Sequence, residues 1–293
     1  MQAYCMLAPQ MIGLAVFTIL PILWVIRLSF FEFNGFQSDF IGFDNFVRAF
    51  TRDPYYWRAL LNTIVISFGK LLVEIPLALV CAVLLNGKLR GSSLYRTVFF
   101  MPSVMSPAII GLVFCFLFSG YNGIINSILV NTGVIHQYID WFGTKLTANA
   151  VIMITSVWQN FGLNMLFFLT GLQTIPKELY ECADIDGAGP VKRFFKITLP
   201  LLAPMTKIIL LLAIIGSMKV TDLVLVLTNG QPGGQTEVIM TYIYKQFFTT
   251  GSTTTMPEYG YASALGVITA IILGIITLIY VRVTRDRKGG EDA

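Results

Sequence analysis

Six long apolar runs divide the chain, at residues 7–30, 59–85, 98–119, 148–172, 201–227 and 260–283. Each approaches or exceeds the roughly 20 residues a helix needs to cross about 30 Å of hydrocarbon. The pattern predicts an all-α integral membrane protein with six transmembrane helices in a single domain over residues 1–293. The segments 31–58 and 120–147 are moderately long loops of mixed character. Residues 229–234, reading NGQPGG, form a turn-forming run. The next segment, 237–248, places Val238, Ile239, Tyr242, Ile243 and Phe247 at helical spacing, which predicts a short amphipathic helix at the outer surface. That helix either covers the mouth of a pathway or rests among lipid headgroups.

One polar interval differs from the rest. Residues 173–200 form a charged island between the fourth and fifth runs, so they belong in water. Pro176 suits a first helical position, and Glu178 puts a negative charge near the helix N-terminus. Leu179, Cys182, Ala183 and Asp186 then follow helical spacing, and Gly187 offers a left-handed stop. Pro190 can open a second short helix, with Val191, Phe194, Phe195 and Thr198 in an apolar stripe and Lys192, Arg193 and Lys196 turned away. Pro200 is expected to end it. Two short helices at an angle result, one presenting small residues and the other an apolar rib. On chemistry alone the pair could equally lie on a lipid surface.

Composition and charge sharpen this picture. The 293 residues are 55% hydrophobic and only 12% charged, against about 25% charged in a soluble domain. The net charge of +4 does not point to nucleic acid, because the basic residues flank apolar spans. Segments 86–96, 173–200 and 282–293 together hold eleven of the 20 Lys and Arg. By the positive-inside rule those segments and both termini are cytoplasmic. The aromatic clusters Tyr55-Tyr56-Trp57 and Trp141-Phe142 fit the outer interface. The first apolar run is too long for a cleavable signal peptide and lacks a small-residue cleavage site. It also lacks the preceding basic cluster expected of a complete first span, as a shortened start would.

Little here supports an enzyme. Cys5, Cys81, Cys115 and Cys182 are scattered without metal-ligand spacing, and His136 stands alone, so neither a metal site nor a triad is expected. Gly69-Lys70 and Gly87-Lys88 are each followed by Leu, so no hydroxyl is placed to hold Mg²⁺ and no ATP site is encoded. No cofactor is implied.

The informative positions are polar residues inside the spans, which are costly there. In the fourth span Ser156, Gln159, Asn160 and Leu163 share one helical face, flanked by Trp158 and Asn164. Neutral hydrogen-bonding groups beside flat apolar surface suit a sugar, and equally suit interhelical hydrogen bonds. In the fifth span Ala213, Ser217, Val220 and Thr221 form a comparable face of small residues. Lys70–Glu74 and Lys219–Asp222 are spaced for intrahelical ion pairs. They either neutralise themselves in packed surroundings or supply a proton carrier at Glu74 or Asp222.

The order Glu181-Cys182-Ala183, three residues, Gly187, nine residues, Ile197, one residue, Leu199-Pro200 resembles the "EAA" loop of membrane subunits of binding-protein-dependent ABC importers. One position departs from it, Cys182, where that family usually has Ala. Residues 95–102 (YRTVFFMP), 171–180 (GLQTIPKELY), 222–232 and 259–264 (YGYASA) extend the likeness along the chain, to the carbohydrate-uptake branch that contains the maltose and glycerol-3-phosphate systems. The resemblance implies a type I permease fold in a bacterial or archaeal cell membrane. It also implies that Glu181, Cys182, Ala183, Asp186, Gly187, Ile197, Leu199 and Pro200 form coupling helices docked on an ATPase. The implied partners are a second permease in a heterodimer, two ATPase subunits, an extracytoplasmic solute-binding protein, a carbohydrate and membrane lipid. The fourth-span face, and more weakly Ser217, Val220 and Thr221, would then line the substrate path. An ion-coupled secondary transporter, or an importer for a non-sugar solute, is the alternative.

Overall fold

The computed structural model describes residues 2–87, 90–248 and 256–284, and the side chains from residue 6 onward. Lys88, the tail from residue 285 and the Cys5 side chain lie outside the described residues. In chain order the elements are helix α1 (Met6–Leu28), strands β1 (Phe31–Phe33) and β2 (Ser38–Phe40), α2 (Asp44–Thr51), α3 (Pro54–Asn86), α4 (Ser92–Val104), α5 (Pro107–Leu117), α6 (Ile124–Asn131), α7 (Lys145–Gln173), α8 (Lys177–Ile185), α9 (Pro190–Met218), α10 (Asp222–Leu227), α11 (Ile239–Phe247) and α12 (Tyr259–Thr284). Helices α1, α3, α7, α9 and α12 are long and apolar enough to cross a membrane, and α4 with α5 makes a sixth apolar length.

Two expected spans are broken. The third, expected as one helix over 98–119, bends by 98° between α4 and α5. Met105 and Ser106 are extended there, because a residue before proline is pushed out of the helical region and Pro107 then starts a new helix. The fifth, expected over 201–227, stops at Met218, and residues 219–221 separate it from α10. Conversely, Pro200 does not end a helix. The turn over Phe194–Thr198 is a π-helix, and its wider winding accommodates the proline that an α-turn would clash with. Helix α9 therefore runs unbroken from the loop into the membrane. Residues 31–58 and 120–147, expected as loops, carry the β1–β2 hairpin, α2 and α6.

The chain forms two compact units. The first comprises residues 1–60 and 239–276. In it β1 and β2 pair antiparallel, with Phe31 opposite Phe40. Asn45 Nδ2 donates to the carbonyls of Ser29 and Phe31, both at 3.0 Å. Asp53 caps α3 by accepting from the backbone N–H groups of Tyr55 and Tyr56. Its second oxygen accepts from the Tyr242 hydroxyl at 2.8 Å and the Tyr261 hydroxyl at 2.5 Å. Helix α11, expected over 237–248, is thus docked on protein by its own tyrosine, with Ile239, Thr241 and Ile243 buried. Burial, reinforced by the Asp53 hydrogen bond, pushes the Tyr242 hydroxyl well above the usual tyrosine range. Tyr56, expected in an outer aromatic belt, is instead fully buried and hydrogen-bonded to Thr269 at 3.1 Å.

The second unit comprises residues 61–238 and 277–293. Two apolar clusters lie along α7. One gathers Ile66, Ile110, Phe114, Val151, Ile152 and Val224; the other gathers Ala78, Ala82, Met165, Phe168, Leu172, Leu202 and Ile209. Helix α7 supplies both clusters, and its polar stretch from Thr155 to Asn164 lies between them. Helix α4 crosses α7 closely at Gly162, where a Cβ would run into the Phe99 carbonyl. Burying both ends of α7 leaves its middle to be accounted for by chemistry.

Candidate functional site

The middle of α7 opens onto a cavity of about 360 Å³, within the roughly 300–1,000 Å³ typical of small-molecule sites. All seven residues expected to line a substrate path lie on it: Ser156, Gln159, Asn160 and Leu163 from α7, with Ser217, Val220 and Thr221 opposite. The sequence periodicity that selected the α7 residues works here because a 29-residue helix keeps one face aligned. Leu212, Ala213 and Gly216 of α9 add a small, apolar wall.

Helix ends supply the polar part of that wall. Because α9 stops at Met218 and α10 begins at Asp222, the last carbonyls of α9 and the first N–H groups of α10 lack the usual intrahelical partners. Lys219 and Asp222 both line the cavity and are exposed there. They do not form the expected intrahelical pair, because Lys219 lies in the break after α9 while Asp222 opens α10. The ion pairs among the described residues are Arg48–Glu258, Lys70–Glu74 and Arg193–Asp184.

The pair on α3 does form. Lys70 Nζ lies 3.2 Å from Glu74 Oε2, with both side chains buried. Each also reaches α7. Lys70 donates to Ser156 Oγ at 3.0 Å, and Asn164 Nδ2 donates to Glu74 Oε1 at 2.5 Å. Other groups on the α7 face differ in how free they are. Asn160 Nδ2 donates to its own helix at the Ser156 carbonyl, 2.8 Å away. Ser217 Oγ likewise donates to the Ala213 carbonyl at 2.6 Å. The Gln159 backbone carbonyl accepts from Ser103 Oγ at 2.8 Å, while its side-chain amide makes no hydrogen bond to a described residue. That amide is the open donor and acceptor of the face.

The 173–200 loop is the second feature. Helix α8 is capped by Pro176, which stands one residue before the helix proper. Its C-terminus closes as a Schellman turn: the Ala188 N–H donates to the Ala183 carbonyl at 2.9 Å and the Gly187 N–H to the Asp184 carbonyl at 3.1 Å. Gly187 has φ +70°, the left-handed conformation the sequence pointed to, while Asp186 is the cap rather than a helical residue. Two contacts fix the start of α9 against α8, the Arg193–Asp184 ion pair and the Tyr180–Thr198 hydroxyl bond at 3.0 Å. Glu181, Cys182, Asp186 and Pro200 are exposed, Ile197 and Leu199 half-buried. Ala183, expected among the small residues offered outward, is turned inward and buried. The outward apolar surface comes instead from Ile185, Val191 and Phe195, each more than half exposed. Helical spacing does not mark Ile185, although its position beside Asp186 and Gly187 at the turn makes it a tip residue.

Long apolar helices, with two expected spans broken beside a polar cavity, fit a membrane permease. The chain belongs to the family of binding-protein-dependent transport system inner membrane components, whose model matches residues 74–288. It is 33% identical over 289 residues to the arabinooligosaccharides transport system permease protein of Bacillus subtilis (strain 168), covering 98% of this chain and 89% of that one. It is 36% identical over 252 residues to the sn-glycerol-3-phosphate transport system permease protein of Escherichia coli O6:K15:H31, covering 84% of this chain and 83% of that one. In fold it matches a bacterial alginate ABC transporter in complex with an alginate pentasaccharide-bound periplasmic protein, with TM-score 0.82 and 23% identity over 97% of this chain and 94% of that one. The fold is that of a type I ABC importer permease. The protein is a membrane-embedded transport subunit.

Proposed function

We propose that the chain is the permease subunit of an ATP-driven importer for a carbohydrate or related polyol and forms half of its translocation path. The observation that carries this is the Gln159 amide, which faces the cavity with its hydrogen-bonding capacity free, beside the hydroxyl and amide groups of α7. The carbohydrate and polyol systems named among its relatives support the same cargo class. The other half of the path comes from a second, different permease. Two ATPase subunits dock through residues 178–200, and an extracytoplasmic binding protein delivers the cargo. The excess of Lys and Arg in segments 86–96, 173–200 and 282–293 supports cytoplasmic termini.

The coupling route follows from α9. Its 29 residues span about 43 Å at ~1.5 Å each, from the docking loop to Ser217 on the cavity wall. Closure of the ATPases moves the Ile185–Val191–Phe195 surface, and the continuous helix carries that displacement to the cavity. The site then opens alternately to the two sides.

Two measurements test this reading. Gln159→Leu removes the free amide and should lower uptake of the delivered cargo about tenfold while leaving assembly and ATPase docking intact. Asn160→Leu should cost less, because that amide is already bonded within α7. Equal, unimpaired uptake by both variants would place the cargo elsewhere. Uptake into vesicles supplied with ATP should persist when a protonophore collapses the proton gradient, and stop when ATP is withdrawn. Loss of uptake on adding the protonophore, with ATP maintained, would instead favour an ion-coupled carrier.

A further inference from the structure

We infer that Lys70 and Glu74 are positioning residues: together they clasp α7 and fix which of its faces looks into the cavity. The pair is buried and four residues apart on α3, with the two charges 3.2 Å apart. What makes it a clasp is where the remaining bonding capacity goes. Lys70 donates to Ser156 and Glu74 accepts from Asn164. These two α7 residues are eight apart, about 12 Å along the helix, and they bracket Gln159, Asn160 and Leu163. Two fixed points separated by more than two turns resist rotation of a helix about its axis, which a single contact does not. Apolar packing alone leaves such rotation weakly specified in a membrane, since lipid tails are as apolar as leucine. Both bonds involve a charged partner, the stronger class of hydrogen bond. The pair is therefore neutral towards the cavity, and its charges are spent on holding a face made of neutral groups.

The inference rests on the proposed transport reading only for what the face does; the clasp itself is tested without cargo. The four native cysteines are replaced by alanine, and single cysteines are introduced by Asn160→Cys and Leu163→Cys on the cavity face. Met165→Cys, fully buried in the apolar cluster, serves as the protected control. Reaction with a small charged thiol reagent is timed on the full chain in lipid nanodiscs. In the parent, the two cavity positions should react and Met165→Cys should stay protected. The decisive variant is Ser156→Ala with Asn164→Leu, which removes both handholds on α7 and leaves the Lys70–Glu74 ion pair in place. It should narrow the contrast between cavity and buried positions about tenfold. A pair that served stability alone would leave that contrast unchanged, and this result would overturn the inference. Lys70→Met with Glu74→Gln, made with α7 unaltered, provides the comparison. It avoids a lone buried charge and keeps an acceptor for Asn164, so it should retain part of the contrast. Full loss of contrast in this variant while the decisive variant keeps its own would also overturn the clasp. Uptake measured in parallel reports on the transport reading separately.

Discussion

Gly162→Leu should remove nearly all correctly folded protein from the membrane. Helices α4 and α7 meet there backbone to backbone. A Cβ on residue 162 would overlap the Phe99 carbonyl oxygen and stand 2.6 Å from its carbon and 3.0 Å from the Phe100 Cα. None of those atoms is the movable end of a side chain, so relief requires the helices to separate. Separation would weaken the contact between the Phe99 and Phe161 rings, whose centroids lie 5.7 Å apart, and the bond from Ser103 to the Gln159 carbonyl. Overpacking of a core typically costs about 1–3 kcal/mol, and a backbone collision belongs at or above the upper end. Gly162→Ala should already lower the melting temperature. Gly274→Ala, with nothing within 4 Å of its Cβ, should not. Size-exclusion profiles of detergent extracts would show the difference. Parental yield and melting temperature in Gly162→Leu would refute the close crossing.

What was legible in the sequence was mostly local. Helical spacing alone placed Ser156, Gln159, Asn160 and Leu163 on one face, and that face lines the cavity. Spacing also paired Lys70 with Glu74, because both stand on one uninterrupted helix. The same rule failed for Lys219 and Asp222. It assumes a continuous helix, and α9 ends at Met218 without a proline to announce it. Prolines in this chain act in two opposite ways. Ser106-Pro107 was a signal for the bend between α4 and α5 that a hydropathy window averages away. At Pro200, by contrast, a π-turn absorbs a proline that ordinarily stops a helix.

Long-range polar contacts were the least legible. Asp53 lies 189 and 208 residues from Tyr242 and Tyr261. Nothing in the local pattern distinguishes it from an ordinary helix cap, which it also is. In the sequence Asn164 only flanks the Gln159 face, yet its bond to Glu74 joins α3 to α7 across 90 positions. The Glu74–Asn164 partnership follows from which faces of α3 and α7 the apolar clusters bring together, and that is decided by packing rather than by period.

Gly187→Leu should uncouple ATP hydrolysis from uptake while sparing the fold. Residue 187 adopts φ +70°, and a side chain in that left-handed region costs roughly 1–2 kcal/mol. The two Schellman bonds ending α8 share this strain, but α9 is held independently through Tyr180–Thr198 and Arg193–Asp184. A Cβ on residue 187 has nothing within 4 Å, so a leucine there crowds no part of this chain. It would instead project from the exposed turn, where the ATPase is proposed to dock. The variant should therefore insert and purify normally, co-purify poorly with the ATPase subunits, and lose hydrolysis stimulated by the loaded binding protein. Gly187→Ala separates the two causes, since it carries the same backbone strain without the bulk. Substantial coupling in the alanine variant and none in the leucine variant would locate the effect at the docking surface. Equal loss in both would assign it to the distorted turn. Normal stimulation in Gly187→Leu would mean that the ATPase does not approach this tip at all, and the lever formed by α9 would have to be driven from elsewhere.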